Sequence, residues 1–147
     1  MDTHKVSDWM TKDVISVPSG TTLPEATALM REKHIRRLPV VENGQLVGIV
    51  TYGDLREANP SDATGLSIHE ISYLLQRIGV EKLMTRKPYT VSPDTALTEA
   101  ARLMLQHKIG ALPVVKDGKL VGIITESDIF RAFMRLLDQE PVAVAAV

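Results

Sequence analysis

The chain has no cysteine in its 147 residues. Disulfide bonds, thiolate nucleophiles and thiolate-bound metals are therefore excluded. Aromatic residues are few, with two Phe, one Trp and three Tyr, so little is available to stack on nucleic-acid bases. The 17 Lys and Arg residues against 18 Asp and Glu leave a net charge of −1, which gives no overall attraction to nucleic acid or to an acidic membrane.

Long apolar runs are missing as well. None approaches the roughly 20 residues of a membrane-spanning helix, and the first residues lack the apolar core of a signal peptide. With 44% apolar and 24% charged residues the composition is typical of a globular protein, which we expect to be cytoplasmic. The histidines show no metal-ligand spacing, and no nucleophile elbow, phosphate-binding loop or dinucleotide fingerprint occurs. We therefore expect no metal site, no catalytic residues and no enzyme activity.

The dominant feature that is present is an internal repeat. Residues 6–58 align without a gap on residues 80–132, and the segments 38–41 and 46–49 return almost unchanged as 112–115 and 120–123. Such copies predict two equivalent units that pack about a pseudo-two-fold axis, with a functional cleft between them. Because a unit of about 53 residues buries too little surface to be stable alone, we expect the two units to share a core.

Each repeat has the pattern strand, helix, strand, strand, helix. In repeat one we predict a strand over 14–17, a helix over 22–33, strands over 38–41 and 46–50, and a helix after Thr51. Asn43-Gly44 between the two later strands predicts a tight hairpin, and Asp117-Gly118 does the same in repeat two. The first strand of repeat two is predicted over 89–91.

Residues 59–79 belong to neither repeat. An apolar stripe in this segment, made of Ile68, Ile71, Leu75 and Ile78, predicts a docked helix rather than a flexible tether. The predicted organisation is therefore repeat one over 1–58, a helical linker over 59–79, repeat two over 80–135 and a C-terminal tail over 136–147.

This order of elements, with a hydrophobic-Pro-Val-Val strand, an Asn/Asp-Gly hairpin and a Gly-Ile-Val/Ile-Thr-x-x-Asp ending, resembles the cystathionine-β-synthase (CBS) domain. Two such domains in tandem resemble a Bateman module, here similar to stand-alone bacterial CBS-pair proteins of the acetoin-utilization type. The resemblance covers residues 6–58 and 80–132. It implies an α/β (α+β) fold of two β-α-β-β-α repeats that bind adenine nucleotides or related adenosyl compounds in clefts between the repeats.

The resemblance also assigns roles to the Thr-x-x-Asp motif, which occurs as Thr51 with Asp54 and as Thr125 with Asp128. The Asp holds the ribose hydroxyls and the Thr lies near the phosphates. Elementary chemistry agrees, because a carboxylate can accept two hydroxyl hydrogen bonds and a helix N-terminus offers N–H groups to a phosphate. The same motif caps a helix, so capping stays open as an alternative or an additional role.

In the family, each cleft is completed by residues at the start of the first helix of the opposite repeat. The matching positions are Thr95 and Ala100 for the Asp54 cleft, and Thr21 and Ala26 for the Asp128 cleft. A Thr near a helix start and an Ala facing a core also occur without any ligand, so purely structural roles remain open.

The two repeats differ just before the Pro-Val-Val strand, where Arg36-Arg37 corresponds to Gly110-Ala111. Basic residues at this place reach the phosphates in the family, and guanidinium groups suit bidentate phosphate contacts. The hypothesis is that the Asp54 cleft binds a phosphorylated nucleotide, whereas the Asp128 cleft binds a nucleoside or stays empty. The alternative is a solvated arginine pair, part of a local basic patch over residues 31–37.

We therefore expect a regulatory module that needs no cofactor, takes an adenine nucleotide (AMP, ADP, ATP or similar) as its ligand, and signals through conformation or oligomer state. A homodimer is expected, together with an effector protein that is regulated in trans; neither a membrane nor nucleic acid is an expected partner. The alternative is a constitutive dimerisation or protein-interaction module with degenerate ligand clefts.

Overall fold

A computed structural model describes residues 4–59 and 65–139. The elements in chain order are α1 Val6–Trp9, α2 Leu23–Lys33, β1 Arg37–Glu42, β2 Gln45–Thr51, α3 Tyr52–Ala58, α4 Ile68–Leu75, a 3₁₀ turn Val80–Lys82, β3 Thr85–Arg86, α5 Leu97–His107, β4 Ala111–Lys116, β5 Lys119–Thr125 and α6 Glu126–Gln139. The predicted mixed α/β class is confirmed. Helix α6 reaches into the predicted C-terminal tail, and residues 140–147 lie outside the described residues.

The described residues form two compact units, each named here after the repeat whose strands it contains. The first-repeat unit comprises residues 15–59, 65–88 and 118–120, and the second-repeat unit comprises residues 4–14, 89–117 and 121–139. Neither unit is one continuous stretch, because residues 4–14 group with the second repeat and residues 80–88 with the first. The sequence boundaries at 58, 79 and 135 follow the repeat rather than these units, and they stay a prediction.

In the first-repeat unit, β1 and β2 form an antiparallel hairpin in which Arg37 lies opposite Thr51. Asn43 and Gly44 at its turn have φ angles of 52° and 80°. Two consecutive positive φ angles are what a type I′ turn requires, so the predicted hairpin is confirmed. Strand β3 adds to β2 from the other side, with Gly48 opposite Arg86.

The second-repeat unit repeats this hairpin. Strands β4 and β5 are neighbours, and Asp117 and Gly118 at their turn have φ angles of 54° and 80°. The N-terminal segment adds to β5, because Thr11 and Ile123 exchange N–H to carbonyl hydrogen bonds of 2.9 and 3.0 Å. The first residues of each repeat thus pair with the sheet of the unit named after the other repeat.

The first strand predicted for each repeat is reduced to a single residue. Val17 forms one parallel bridge with Val40, and Val91 forms one with Val114. The predicted strand lengths are wrong, because only Val17 and Val91 of these segments pair with a strand, while residues 14–16 and 89–90 form no bridge.

Each unit has its own cluster of buried apolar side chains. The expectation that the two units share a core stays a prediction. Val80 completes the first-repeat core and Val6 completes the second-repeat core, each fully buried. The first-repeat core contains Val17, Leu23, Ala26, Met30, Leu38, Val40, Val50, Leu55 and Val80. The second-repeat core contains Val6, Val91, Leu97, Ala100, Met104, Leu112, Val114, Ile124 and Ala132.

The linker contains the predicted helix as α4. Ser67 caps it by accepting a hydrogen bond from the N–H of Glu70 at 3.2 Å. Leu75 and Ile78 pack against the first-repeat core, which confirms docking at the C-terminal end of the linker. Ile68 is 78% exposed, so its place in the buried stripe was wrongly predicted. None of the described helices, α4 included, has the length and apolarity needed to cross a membrane.

Candidate functional site

Thr51 and Asp54 form a reciprocal capping box at the start of α3. The Thr51 N–H donates to Asp54 Oδ2 at 2.9 Å, and the Asp54 N–H donates to Thr51 Oγ1 at 3.1 Å. The second carboxylate oxygen, Asp54 Oδ1, receives no hydrogen bond from any residue that the structure describes. Asp54 is half-buried. One of its oxygens is therefore held by the backbone while the other keeps its acceptor capacity.

Asp128 occupies the equivalent position in the second-repeat unit, but both of its oxygens have partners. The Thr125 N–H and hydroxyl donate to Oδ2 at 2.9 and 3.1 Å, and Arg131 Nη1 donates to Oδ1 at 2.7 Å. Asp128 is only 4% exposed, whereas the Arg131 side chain is 62% exposed. This carboxylate is therefore already satisfied by its own helix.

The difference between the two aspartates comes from the residue three positions later. Arg131 lies one helical turn after Asp128 and forms an ion pair with it, whereas the equivalent residue after Asp54 is Glu57, which has the same charge. The sequence-based prediction missed this pair. The signal was visible as Asp-x-x-Arg in one repeat and Asp-x-x-Glu in the other.

The N–H groups at these two helix starts are largely occupied. The Tyr52 N–H donates to the Arg36 carbonyl at 2.8 Å, and the Glu126 N–H donates to the Gly110 carbonyl at 3.0 Å. The aspartate N–H groups bond the threonine hydroxyls. The capping role is therefore confirmed in both repeats, and few N–H groups remain for a phosphate. A ligand role for the same residues is compatible with capping and stays a prediction.

The arginine pair is divided between two places. Arg37 begins β1 directly opposite Thr51, whereas the Arg36 guanidinium carbon lies 5.6 Å from the ring centroid of Tyr52. Arg36 lies just before β1, and its carbonyl accepts a hydrogen bond from the Tyr52 N–H. The structure thus places Arg37 opposite Thr51 in the hairpin register, whereas the guanidinium of Arg36 lies near Tyr52. Ala111, the counterpart of Arg37, is 7% exposed.

The other predicted residues lie at the start of the first helix of each repeat. Thr95 Oγ1 accepts a hydrogen bond from the Ser92 N–H at 3.0 Å, and the Thr21 carbonyl accepts one from the Val80 N–H at 2.8 Å. Ala26 and Ala100 are fully buried within the cores of their own units. Their assignment to ligand clefts with Asp54 and Asp128 stays a prediction from the resemblance.

One carboxylate of the first-repeat unit, Glu42 at the turn end of β1, has a lowered pKa. The hydroxyl and the N–H of Ser19 both donate to Glu42 Oε1, and these two hydrogen bonds lower the pKa of Glu42 from its ordinary value of 4.5. The contact ties the loop before Thr21 to strand β1. Among the described residues, no group of three or more His, Cys, Asp or Glu side chains is placed to hold a metal ion.

A family model described as the CBS domain matches residues 6–61 and 80–135, and the chain therefore belongs to the CBS domain family. A CBS domain-containing protein of Dictyostelium discoideum is 34% identical over 138 residues, which are 92% of this chain and 95% of that protein. Some relatives are much longer: this chain spans 24% of the inosine-5′-monophosphate dehydrogenase of Korarchaeum cryptofilum, with 37% identity over 86% of this chain.

Solved structures of CBS pairs share the fold. A candidate acetoin utilization protein of Vibrio cholerae has a TM-score of 0.77 and 36% identity, over 93% of this chain and 95% of its own. The protein CBSX2 in complex with AMP has a TM-score of 0.77 and 34% identity, over 91% and 98%. The CBS domain pair of protein MJ0100, in complex with 5′-methylthioadenosine and S-adenosyl-L-methionine, has a TM-score of 0.76 and 29% identity, over 92% and 99%. The predicted resemblance to tandem CBS proteins is confirmed.

Proposed function

We propose that this CBS pair is a regulatory module that binds an adenosine-containing ligand at Asp54. The observation that carries the proposal is that Asp54 Oδ1 has no hydrogen-bond partner among the described residues, on a carboxylate whose other oxygen is fixed by the Thr51 N–H at 2.9 Å. A carboxylate held in this way can accept hydrogen bonds from neighbouring ribose hydroxyls without first losing a partner. Solved relatives that bind AMP, 5′-methylthioadenosine and S-adenosyl-L-methionine support an adenosyl ligand.

Arg37 is the proposed phosphate contact of this site. It lies opposite Thr51 across the hairpin, and no described acidic residue forms an ion pair with it. The position of Arg36 over Tyr52 favours Arg37 of the two arginines that the sequence proposed for this role. Since Ala111 stands at the equivalent place in the second repeat, a phosphorylated ligand should prefer Asp54 to Asp128.

Isothermal titration of AMP and 5′-methylthioadenosine tests this proposal. In Asp54→Asn the amide oxygen can still cap the helix, while the loss of a charge-assisted hydrogen bond, about 1.5–3 kcal/mol, should weaken both ligands roughly tenfold or more. Arg37→Ala should weaken AMP and leave 5′-methylthioadenosine unchanged, because the latter has no phosphate.

Asp128→Asn is the matched control, since both oxygens of Asp128 already have partners. It should leave the affinity for AMP close to that of the unmodified protein. Equal losses in the two Asn variants, or no loss in Asp54→Asn, would contradict the proposal.

A second candidate function, homodimerisation, is favoured by an exposed apolar face on the second-repeat unit. Leu105 of α5 is 81% exposed, and Phe130, Phe133, Met134 and Leu137 of α6 are each at least half exposed. Contiguous apolar side chains of this size are characteristic of protein interfaces. We propose that two copies of the chain pair through this face, and that ligand binding changes the stability or geometry of the pair.

Light scattering after size exclusion tests the homodimer. The double variant Leu105→Arg with Phe130→Arg introduces the residues found at the equivalent first-repeat positions, Arg31 and Arg56, and it should be monomeric. A dimer whose dissociation constant changes with AMP supports the regulatory module. A dimer that binds no adenosyl compound supports the alternative, a constitutive dimerisation module with degenerate clefts.

A further inference from the structure

A groove between α2 and α3 of the first-repeat unit has an unusual lining of arginine around an aromatic ring. Two adjoining cavities of about 380 and 520 Å³ share Thr27, Arg31 and Tyr52 in their walls. Arg56 lines the smaller cavity and Arg36 the larger one. The Tyr52 ring lies between them and is 38% exposed. This feature, defined by Arg31, Arg36, Tyr52 and Arg56, is called the Tyr52 groove below.

The arginines of the Tyr52 groove have no acidic partner among the described residues. All ion pairs among the described residues belong to the second-repeat unit. They join Lys5 to Asp94, Glu99 to Arg102, and Asp128 to Arg131. The guanidinium carbons of Arg36 and Arg56 instead lie 5.6 and 6.0 Å from the Tyr52 ring centroid. At this range the ring attracts a cation, so it positions both side chains, whose N–H donors bond no side chain among the described residues.

The second repeat shows that folding does not require these arginines. An equivalent groove of about 510 Å³ lies between α5 and α6, lined by Leu105, Glu126 and Phe130 where the Tyr52 groove has Arg31, Tyr52 and Arg56. The same backbone therefore builds the groove with apolar and acidic side chains. Three like charges placed close together repel one another, so their concentration in one repeat indicates a ligand of opposite charge.

We infer that the Tyr52 groove binds the phosphate monoester group of a small molecule. A monoester carries close to two negative charges and three acceptor oxygens, which match several guanidinium forks better than a single carboxylate does. Cavities of 380 and 520 Å³ are in the size range of small-molecule sites. The site includes Arg36, which the sequence analysis had placed with Arg37 in the Asp54 cleft, but it uses none of Asp54, Thr51 and Arg37 and does not depend on the adenosyl proposal.

Phenyl phosphate is a suitable probe, titrated in low salt while amide resonances of the whole chain are followed by NMR. The largest shifts should fall on α2, residues 34–36 and α3. The variants Arg31→Leu and Arg56→Phe carry the residues of the second repeat, which are compatible with this backbone. Each should weaken phenyl phosphate about tenfold or more, because one charge-assisted contact is lost. Arg31→Gln provides the same test should the apolar variants aggregate.

Two comparisons make the test specific. Tyr52→Phe should retain binding and Tyr52→Glu, the second-repeat residue, should abolish it, because Tyr52 acts by positioning the guanidinium groups. Benzoate, with a single charge, should bind at least about tenfold more weakly than phenyl phosphate. Unchanged affinity in both arginine variants, or equal affinity for benzoate, would overturn the inference.

The result is separable from the adenosyl proposal. Arg56→Phe should leave 5′-methylthioadenosine affinity unchanged, and Asp54→Asn should leave phenyl phosphate affinity unchanged. If the inference of the Tyr52 groove alone is wrong, Arg31→Leu and Arg56→Phe will not weaken phenyl phosphate, while Asp54→Asn will still weaken 5′-methylthioadenosine. If Asp54→Asn weakened phenyl phosphate as much as Arg56→Phe does, the two sites would be one and the inference of a separate groove would be wrong.

Discussion

Glu57 and Arg131 lie three positions after Asp54 and Asp128, respectively. Exchanging them should exchange which of the two carboxylates has an oxygen available to a ligand. Arg131 donates to Asp128 Oδ1 at 2.7 Å, whereas Asp54 Oδ1 has no such partner and is followed three positions later by Glu57. Glu57→Arg gives Asp54 the ion pair that Asp128 has. Arg131→Glu removes that pair and leaves Asp128 with only the donors of Thr125.

The size of the effect follows from exposure. Because the Arg131 side chain is 62% exposed, its pair with Asp128 resembles a surface ion pair, worth about 0.5–1 kcal/mol. A ribose hydroxyl that competes with an equivalent arginine at position 57 must displace that interaction. We therefore expect Glu57→Arg to weaken adenosyl binding about two- to fivefold. Arg131→Glu should make Asp128 a weak second site.

Isothermal titration with 5′-methylthioadenosine measures this effect without interference, because the ligand has no phosphate that the introduced arginine could attract. Glu57→Gln is the control, since it removes the acidic charge without creating an ion pair, and it should bind as the unmodified protein does. Circular dichroism establishes that each variant is folded. Affinity in folded Glu57→Arg equal to that of Glu57→Gln would refute the proposal that an unpaired Oδ1 determines binding.

Further predictions concern stability. Gly48→Ala should lose about 1–3 kcal/mol in urea unfolding, because a Cβ there overlaps Met84 Sδ, whereas Gly53→Ala, whose nearest atom would be 3.6 Å away, should gain up to about 1 kcal/mol. Glu42→Gln should lower the melting temperature at pH 7 and progressively less as the pH falls below 4.5. The lowered pKa of Glu42 means that its bonds with Ser19 stabilise the fold above pH 4.5 and are lost as the pH falls through the folded-state pKa. A pH-independent difference would contradict this reasoning.

Features set by neighbouring residues were predictable from the sequence. Asn43-Gly44 and Asp117-Gly118 each require two positive φ angles in a row, and both turns have them. The Thr51 capping box likewise depends on four consecutive residues. In each case the information is local, so periodicity and turn chemistry were sufficient.

Features that depend on distant parts of the chain were not predictable. Val6 begins repeat one in the sequence but is buried in the second-repeat core, and Val80 is buried in the first-repeat core. Each unit thus completes its own core with the residue that begins the other repeat. Ile68 was misplaced because a stripe predicts which face of a helix is apolar but not how far along the helix the neighbouring core extends.

The candidate site was predictable in part. Its aspartates were found from the motif, and the charge difference that separates them was readable at positions 57 and 131. The separation of Arg36 from Arg37 was not readable, because the sequence presented them as one basic patch. The structure shows that Arg37 pairs with Thr51 across the hairpin and that the Arg36 guanidinium lies over Tyr52.

The repeat serves as an internal control for deciding which residues act on partners rather than on folding. Leu38 and Leu112 are both fully buried and identical, as core packing requires. The Tyr52 groove is lined by Arg31, whereas the equivalent groove between α5 and α6 is lined by Leu105. A difference that folding does not require must be explained by what each surface contacts. Since guanidinium groups favour anions and exposed leucine favours another apolar surface, we propose that anionic ligands bind the first-repeat unit and that a second copy of the chain binds the second-repeat unit.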